Sequence, residues 1–430
     1  MMKNILLFVL SLVSLVCFAQ SNAKHVILIT IDGMRGDMIT DATSPTENLK
    51  ELKRGGLWVN WIKGVAPAET YPSHTTIITG LRPCDHHIYY NAPFMGNEPR
   101  TISNWYADSI HGETLWQAVS ATGGKVASLF WPVSTGAKGV DYNVPEFWSL
   151  DMKVNQMEYL KDYCKPVGLL DTLEKYATGV LRDENFTAGS VNRDAYEAYM
   201  TNFILNHYKP TLLTLHLITT DYAQHQTGLS TDRTRRTYES VDNAVGLIID
   251  NLRATKMIDS TVVIVTGDHG FVDVDRVLAP NIWLVKNGLL GQEYGTPWKA
   301  CFHGAGAMSF LYLKDKNDTK TLAKVRKIID ELPDSTRSLF RVLDKAELKR
   351  LGCDPQAAMA VEPLPGIAVS NAHKGNDLVH RIGGTHGYST GVDHTALIAY
   401  GAGIKPEQKQ YMEQTSIKSF VLGLLGSYRL

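Results

Sequence analysis

Three runs of consecutive apolar residues constrain the fold of this chain most strongly. They cover residues 25–31, 211–218 and 261–266 and are rich in β-branched side chains. A continuous apolar run is typical of a strand that is buried on both faces of a parallel sheet. Helical patterns at residues 193–208 and 233–254 alternate with these runs. The alternation predicts an α/β fold with a doubly wound, mostly parallel sheet flanked by helices.

The stretch from about residue 273 to residue 383 breaks this alternation. It combines a strand-like segment at residues 308–313 with a helical pattern at residues 320–332. We interpret it as a smaller cap or insertion beside the main sheet, within one domain of residues 24–430.

Composition and charge exclude some classes of partner. The chain has 430 residues, of which 44% are hydrophobic, as is typical of a globular protein with a sizeable core. Lys and Arg number 43 against 44 Asp and Glu, so the formal net charge is −1. This balance offers no general attraction to a polynucleotide, and no stable nucleic-acid partner is expected.

Residues 1–23 have the pattern of a secretory signal peptide. Lys3 precedes an apolar run at residues 5–18, and small residues follow it up to Ala23. The run is too short to span a bilayer comfortably, and no later run is long and apolar enough for a membrane helix. We therefore expect export to a periplasm or out of the cell, without a transmembrane anchor. A lipid anchor on Cys17 is the alternative.

The other four cysteines are widely spaced along the chain. They are Cys84, Cys164, Cys301 and Cys353. This spacing argues against a zinc knuckle or a thioredoxin-type site. One or two disulfides are possible in an exported chain, but the sequence does not predict their pairing.

The stretch from Thr70 to Gly80 has the pattern of a short buried helix. Pro72 suits the first turn, where a missing N–H costs nothing, and the apolar residues 77–78 suit a buried face. Thr70 is then expected at or just before the helix N-terminus, where unpaired N–H groups and the helix dipole favour a phosphate. Taken alone, Thr70 could equally be an ordinary capping residue.

Six Asp and His residues follow inner strands or lie in glycine-flanked loops. They are Asp32, Asp221, His225, Asp268, His269 and His386. Singly, each could belong to a turn, a helix cap or a solvated surface. In one parallel sheet, however, all six side chains and Thr70 are expected to collect at the edge where the strands end. Carboxylates and imidazoles without cysteine suit zinc better than magnesium or calcium, and six ligands fit two metal ions.

Five motifs follow one another along the mature chain. They are Asp32 at the end of the first strand; Thr70-Tyr71-Pro72-Ser73-His74 with Thr79-Gly80-Leu81-Arg82-Pro83; Asp221, His225 and Gly228; Asp268-His269-Gly270; and Gly384, His386 and Gly387. In this order they resemble the nucleotide pyrophosphatase/phosphodiesterase family of the alkaline phosphatase superfamily, over essentially the whole mature chain. Ser73 stands where many relatives have Asn.

The resemblance implies a role for these residues and a fold of the alkaline phosphatase type. One zinc ion would be held by Asp221, His225 and His386, and the other by Asp32, Asp268, His269 and Thr70. As the nucleophile, Thr70 would attack phosphorus and form a threonyl-phosphate ester. Asn91, which lies 21 residues beyond Thr70, would bind the phosphoryl group. Tyr71 and Trp148 would pack against a nucleotide base.

The predicted function is therefore zinc-dependent hydrolysis of phosphodiester or pyrophosphate bonds in small nucleotide substrates. The phosphomonoesterase branch of the superfamily carries a Lys-x-Arg pair, whereas the corresponding region here reads Lys138-Gly139-Val140. A phosphomonoesterase, a phosphodiesterase for lipid headgroups and a metal-binding receptor without catalysis are the alternatives. Formylglycine sulfatases need Cys or Ser at the position of Thr70. The oligomeric state is not predicted.

Overall fold

The computed structural model describes residues 23–99, 102–151 and 153–426. The predicted signal peptide up to residue 22, including Cys17, lies outside the described residues. Within the described ranges, no helix combines the length and the apolar character needed to cross a lipid bilayer.

The described residues form fifteen strands and fifteen α-helices. The strands are β1 His25–Ile31, β2 Leu57–Lys63, β3 Val126–Leu129, β4 Tyr142–Val144, β5 Leu212–Leu217, β6 Thr261–Thr266, β7 Val272–Leu278, β8 Ala300–Ala305, β9 Met308–Leu313, β10 Phe340–Leu343, β11 Met359–Pro363, β12 Ile367–Val369, β13 Leu378–Thr385, β14 Thr395–Gly401 and β15 Glu407–Glu413. The helices are α1 Asp37–Thr40, α2 Glu47–Gly55, α3 Thr70–Thr79, α4 Pro83–His86, α5 Leu115–Ala121, α6 Gln156–Lys161, α7 Leu169–Leu173, α8 Asn192–Tyr208, α9 Thr219–Thr227, α10 Asp232–Ala254, α11 Asn281–Lys286, α12 Thr319–Asp330, α13 Asp334–Arg337, α14 Lys345–Leu351 and α15 Ile417–Leu424.

Eight strands form a central sheet in the order β15-β2-β14-β6-β1-β5-β3-β4. Strand β1 pairs in parallel with β5 on one side and with β6 on the other. The pairs β3–β5, β3–β4 and β15–β2 are also parallel. Strand β14 runs antiparallel to both of its neighbours, β6 and β2. The predicted mostly parallel sheet flanked by helices is therefore confirmed.

Both faces of the central sheet are buried, as the continuous apolar runs predict. Ile27 and Ile29 of β1 pack on one face in a cluster that includes residues of α2, α8 and α10. Val26 and Leu28 pack on the other face with residues of α3, α5 and α15. Successive side chains of a strand point to opposite faces, so helices on both sides are needed to cover β1.

Two smaller sheets occupy residues 272–385. One has four antiparallel strands in the order β10-β11-β9-β8, and the other has three strands in the order β12-β7-β13. The region predicted as a cap, at about residues 273–383, corresponds to these two sheets. Its role as a cap stays a prediction.

No disulfide joins the described cysteines, for which the sequence left the pairing open. The four thiols are free, and those of Cys164, Cys301 and Cys353 are buried. Packing and backbone hydrogen bonds therefore hold the described fold without a covalent cross-link.

Replacing Ile29 tests the central position of β1. The side chain is fully buried between parallel neighbours, so Ile29→Ala should lower the free energy of unfolding by about 2–5 kcal/mol through lost apolar burial and a residual cavity. The matched control is Ile382→Ala, at a residue that is 70% exposed, which should change stability by less than ~0.5 kcal/mol. Chemical denaturation measures both values, and equal losses would contradict the placement of β1.

Candidate active site

Polar residues follow three neighbouring strands at the same edge of the central sheet. Asp32 comes directly after β1, and Asp268 comes two residues after β6. Asp221 lies in the first turn of α9, which begins two residues after β5. Because β1, β5 and β6 are parallel, their carboxyl ends meet at one edge. The fold thus brings three carboxylates together there.

The first cluster consists of Asp221, His225 and His386. Asp221 and His225 are four residues apart on α9 and so share one face of the helix. Oδ1 of Asp221 lies 3.4 Å from Nε2 of His225 and 3.7 Å from Nε2 of His386, which follows β13. These three ligand atoms are close enough to hold one metal ion.

The second cluster consists of Asp32, Asp268 and His269. Nε2 of His269 lies 3.4 Å from Oδ1 of Asp32 and 3.2 Å from Oδ2 of Asp268. The two clusters are adjacent, since the rings of His269 and His386 stack with their centroids 3.5 Å apart. The fold therefore brings all six predicted ligands together in two groups of three.

The three cluster histidines are oriented by backbone carbonyl groups. Nδ1 of each histidine donates to a backbone carbonyl over 2.8–3.0 Å: His225 to Gly384, His269 to Gly270, and His386 to Ala68. A carbonyl oxygen only accepts, so each Nδ1 carries the proton and each Nε2 is free to act as a ligand. Metal-binding histidines in proteins show this same arrangement.

Four buried polar atoms in these clusters have no hydrogen-bond partner among the described residues. They are Oδ1 of Asp32, Oδ1 of Asp221, Oδ2 of Asp268 and Nε2 of His269. Leaving such atoms unsatisfied is costly in a protein interior. Metal ions would satisfy them, and the mixed oxygen and nitrogen donor set suits zinc. The residues therefore fit divalent metal ions.

Electrostatics at the sheet edge also favour bound positive charge. Burial, together with the carboxylates of Asp268 and Asp221, raises the pKa of Asp32 well above its usual value. Burial and the nearby rings of His269 and His225 lower the pKa of His386 well below its usual value. Divalent cations would favour the ionised carboxylate and the neutral imidazole, which are the forms that bind metal.

Gly33 holds one oxygen of Asp268. The N–H groups of Gly33 and His269 both donate to Oδ1 of Asp268, over 3.1 and 2.9 Å. Gly33 has a φ of +68°, and a Cβ there would meet Phe271 and Gln224 at less than 3 Å. Only glycine suits this position. Because both N–H groups bind Oδ1 of Asp268, Oδ2 remains available to a ligand.

Thr70 is the first residue of α3, as the sequence predicts. Glu69 precedes the helix in an extended conformation, and Gly80 ends it with a left-handed φ of 72°. Thr70 is only 8% exposed. Its place at a helix N-terminus favours a negatively charged ligand beside it.

The segment that leads into α3 is linked to both clusters. The carbonyl of Ala68 accepts from His386 of the first cluster over 2.8 Å. The carbonyl of Thr70 accepts from Nδ1 of His74 over 2.7 Å, and this nitrogen lies 3.6 Å from Oδ2 of Asp268 in the second cluster. The segment therefore contacts the first cluster through Ala68, and Thr70 is linked to the second through His74.

A third group, formed by His74, His216 and Asp268, has metal-ligand spacing but different chemistry. Both ring nitrogens of His74 are already bonded, one to the Thr70 carbonyl and the other to the Thr30 hydroxyl over 2.8 Å. Both nitrogens of His216 face carboxylates. These histidines are structural partners of the site, and we assign no metal to them.

Asn91 lies beside the start of α3. Its Oδ1 accepts from the backbone N–H of Tyr71 over 2.8 Å, and its own backbone N–H donates to Glu69 over 3.0 Å. The amide Nδ2 is left to donate to a ligand.

Three cavities border the site. One, of about 190 Å³, touches His225. The other two adjoin the segment before α3. The larger of these, of about 590 Å³, touches Ala68, Asp268 and His269. The smaller, of about 180 Å³, touches Glu69 and Asn91.

Tyr71 and Trp148 do not line any of these cavities. Tyr71 is 3% exposed, and its hydroxyl donates to Glu146 over 2.9 Å. Trp148 packs edge-on against Trp105, with ring centroids 5.3 Å apart. The ring of Tyr71 is buried and that of Trp148 is half-buried, and base stacking by them stays a prediction.

Glu146 and His216 contact the site residues but are not predicted as such from the sequence. Burial alone would lower the pKa of His216, but its hydrogen bonds with Asp32 and Glu146 raise that pKa well above its usual value. One signal was visible in the sequence, because His216 is an ionisable residue inside the otherwise apolar stretch Leu212–Leu217. Glu146 lies in an irregular segment, where no periodic pattern pointed to the site.

Known proteins have similar sequences over much of this chain. The family described as "Type I phosphodiesterase / nucleotide pyrophosphatase" matches residues 26–389. The chain is 24% identical over 264 residues to ectonucleotide pyrophosphatase/phosphodiesterase family member 3 of Mus musculus. It is 23% identical over 269 residues to venom phosphodiesterase 2 of Crotalus adamanteus. These matches cover 59% and 60% of this chain but only 26% and 28% of the relatives.

Solved structures show the same fold over nearly the whole chain. Murine ectonucleotide pyrophosphatase/phosphodiesterase 5, an inactive variant in complex with AMP, superposes with a TM-score of 0.66 at 20% identity. This comparison covers 94% of this chain and 96% of the murine one. The human counterpart has the same TM-score at 17% identity. With its family match over most of its length, the chain belongs to the type I phosphodiesterase/nucleotide pyrophosphatase family.

Proposed function

We propose that this protein is a zinc-dependent hydrolase that cleaves phosphodiester or pyrophosphate bonds of nucleotides through a threonyl-phosphate ester on Thr70. One observation carries the proposal: two adjacent groups of three ligand atoms, four of them buried and unpartnered among the described residues, lie at one sheet edge beside the segment that leads into α3. Membership of the family supports phosphodiester hydrolysis. AMP in the murine relative supports a nucleotide substrate.

Two zinc ions are proposed, one for each cluster. The first would be held by Asp221, His225 and His386, and the second by Asp32, Asp268 and His269 with the hydroxyl of Thr70. Bound zinc would supply the positive charge that lowers the pKa of a threonine hydroxyl and stabilises negative charge at phosphorus.

Thr70 and Asn91 perform the steps that belong to the protein. The Oγ atom of Thr70 loses its proton to solvent and attacks phosphorus in line, the bond from phosphorus to the leaving oxygen breaks, and that oxygen takes up a proton as the leaving group departs. Water then attacks the threonyl phosphate, which restores the Thr70 hydroxyl and releases a phosphate monoester. Nδ2 of Asn91 donates to a non-bridging oxygen, and a preorganised donor of this kind is worth about 3–4 kcal/mol.

The residues around Thr70 favour a diester over a monoester. Lys138, in the region where phosphomonoesterases carry a Lys-x-Arg pair, is exposed and lines none of the three cavities of the site. A monoester carries nearly two negative charges and a diester one, so a site without this cationic pair should prefer the diester.

We further propose that residues 273–383 act as a cap that contributes to substrate selection. Cys301, Phe302 and His303 of β8 line the same small cavity as Asn91. The predicted signal peptide places the protein outside the cytoplasm, in a periplasm or secreted. Both statements extend the proposed function and leave the oligomeric state open.

Metal analysis tests the two clusters. The purified protein should contain about two zinc ions per chain, and excess chelator should abolish hydrolysis. Asp32→Ala and Asp221→Ala should each lose one ion, whereas the exposed Asp250→Ala on α10 should keep both. Full activity in excess chelator would contradict the metal assignment.

Replacement of Thr70 tests the nucleophile. Thr70→Ala should abolish turnover while the fold and most of the metal remain, because the substitution removes the hydroxyl that is proposed to attack phosphorus. Thr79→Ala, at the other end of α3, is the matched control and should stay active. Steady-state kinetics with metal analysis gives the answer, and near wild-type kcat in Thr70→Ala would show that another group attacks.

Side-by-side turnover of three substrates tests the specificity. For a nucleoside phosphodiester, kcat/KM should exceed that for the matching monoester by roughly a hundredfold, or about 2.7 kcal/mol in transition-state free energy. A better monoester substrate would favour a phosphatase. A lysophospholipid diester that is hydrolysed faster than the nucleotide would favour the lipid headgroup alternative.

A further inference from the structure

A buried polar network connects the residue after Thr70 with a ligand of the second cluster. It consists of Tyr71, Glu146, His216 and Asp32. The Tyr71 hydroxyl donates to Oε1 of Glu146 over 2.9 Å, and Oε2 of Glu146 lies 3.2 Å from Nδ1 of His216. Nε2 of His216 lies 3.1 Å from Oδ2 of Asp32. Every member is at least nine-tenths buried.

The geometry defines which atoms donate in this network. Nδ1 of His216 also faces the carbonyl oxygen of Phe130 at 3.3 Å, and a carbonyl only accepts, so Nδ1 carries a proton. Nε2 faces a carboxylate oxygen of Asp32 at 3.1 Å. Both ring nitrogens of His216 are therefore engaged by buried carboxyl groups, which fixes the ring between Glu146 and Asp32.

The two carboxylate oxygens of Asp32 have different surroundings. Oδ2 is held by His216, whereas Oδ1 has no hydrogen-bond partner among the described residues and lies 3.4 Å from Nε2 of His269. A carboxylate fixed through one oxygen presents the other in a defined direction. The histidines of both clusters are instead oriented by backbone carbonyls.

We propose that His216 and Glu146 are positioning residues that hold Asp32 for the metal of the second cluster, with Tyr71 fixing Glu146 in turn. The inference rests on the metal sites of the proposed function. It gives Tyr71 a role that agrees with its buried hydroxyl. The same residue donates its backbone N–H to Asn91, so Tyr71 connects the proposed phosphoryl-binding residue with a metal ligand.

Zinc affinity of the full-length protein, measured by competition with a chromogenic chelator, tests the proposal. Glu146→Ala and His216→Ala should each lower the affinity for one of the two zinc ions by about 10–100-fold and leave the affinity for the other unchanged. This loss is usual when a residue that supports a ligand is removed. Asp32→Ala should affect the same ion, and Asp221→Ala the other. Adding His216→Ala to Asp32→Ala should cause no further loss, because His216 acts through Asp32.

Milder variants keep the test valid if a large truncation unfolds the protein. Tyr71→Phe removes a single hydroxyl and should lower the affinity for the same zinc ion by a smaller factor. Its matched control is Tyr312→Phe, which removes an equally buried hydroxyl bonded to the buried carboxylate of Asp354, away from both clusters. Thermal unfolding of each variant reports whether the fold is intact.

The outcomes separate this proposal from the proposed function. Unchanged affinity for both ions in folded Glu146→Ala and His216→Ala, or an equal loss of both, would overturn the positioning role and leave the hydrolase proposal standing. Wild-type protein that binds two zinc ions, shows the selective loss and hydrolyses no diester would support positioning and overturn the function. Wild-type protein that binds no zinc would overturn both.

Discussion

Three carboxylates at one edge of a parallel sheet, two of them buried and one half-buried, set the constraint on which the site depends. Asp32, Asp221 and Asp268 follow strands or the turn after a strand, and a fold with parallel neighbours cannot keep these ends apart. Like charges held this closely in a dry environment are unfavourable unless cations or hydrogen-bond donors compensate them. The histidines, the backbone N–H groups and the proposed metal ions all compensate this repulsion between carboxylates.

Backbone carbonyls orient the histidines of both clusters. The carboxylates of the second cluster have further support, because two N–H groups hold Asp268 and the ring of His216 faces Asp32. Backbone supports tolerate many substitutions, whereas the support of Asp32 depends on the identities of His216 and Glu146.

The start of α3 is where these arrangements meet. Ala68 contacts one cluster, Thr70 contacts the other through His74, and Tyr71 belongs to the network that reaches Asp32. A helix N-terminus adds unpaired N–H groups at the same point. The segment therefore links a hydroxyl at an electropositive helix end to two groups of ligands, which fits the proposed phosphoryl transfer.

Local pattern in the sequence was sufficient for the inner strands, the long helices and the start of α3, because burial on both faces and helix capping leave their marks on neighbouring residues. It was also sufficient to nominate the six ligands, since parallel strands place their ends together. Contacts between distant segments leave no such mark. The pairing of Glu146 with His216 and the burial of Tyr71 depend on how β4, β5 and α3 pack, with sequence separations of 70 and 75 residues. Only the tertiary structure decides such contacts, because side chains this far apart meet through the packing of whole elements.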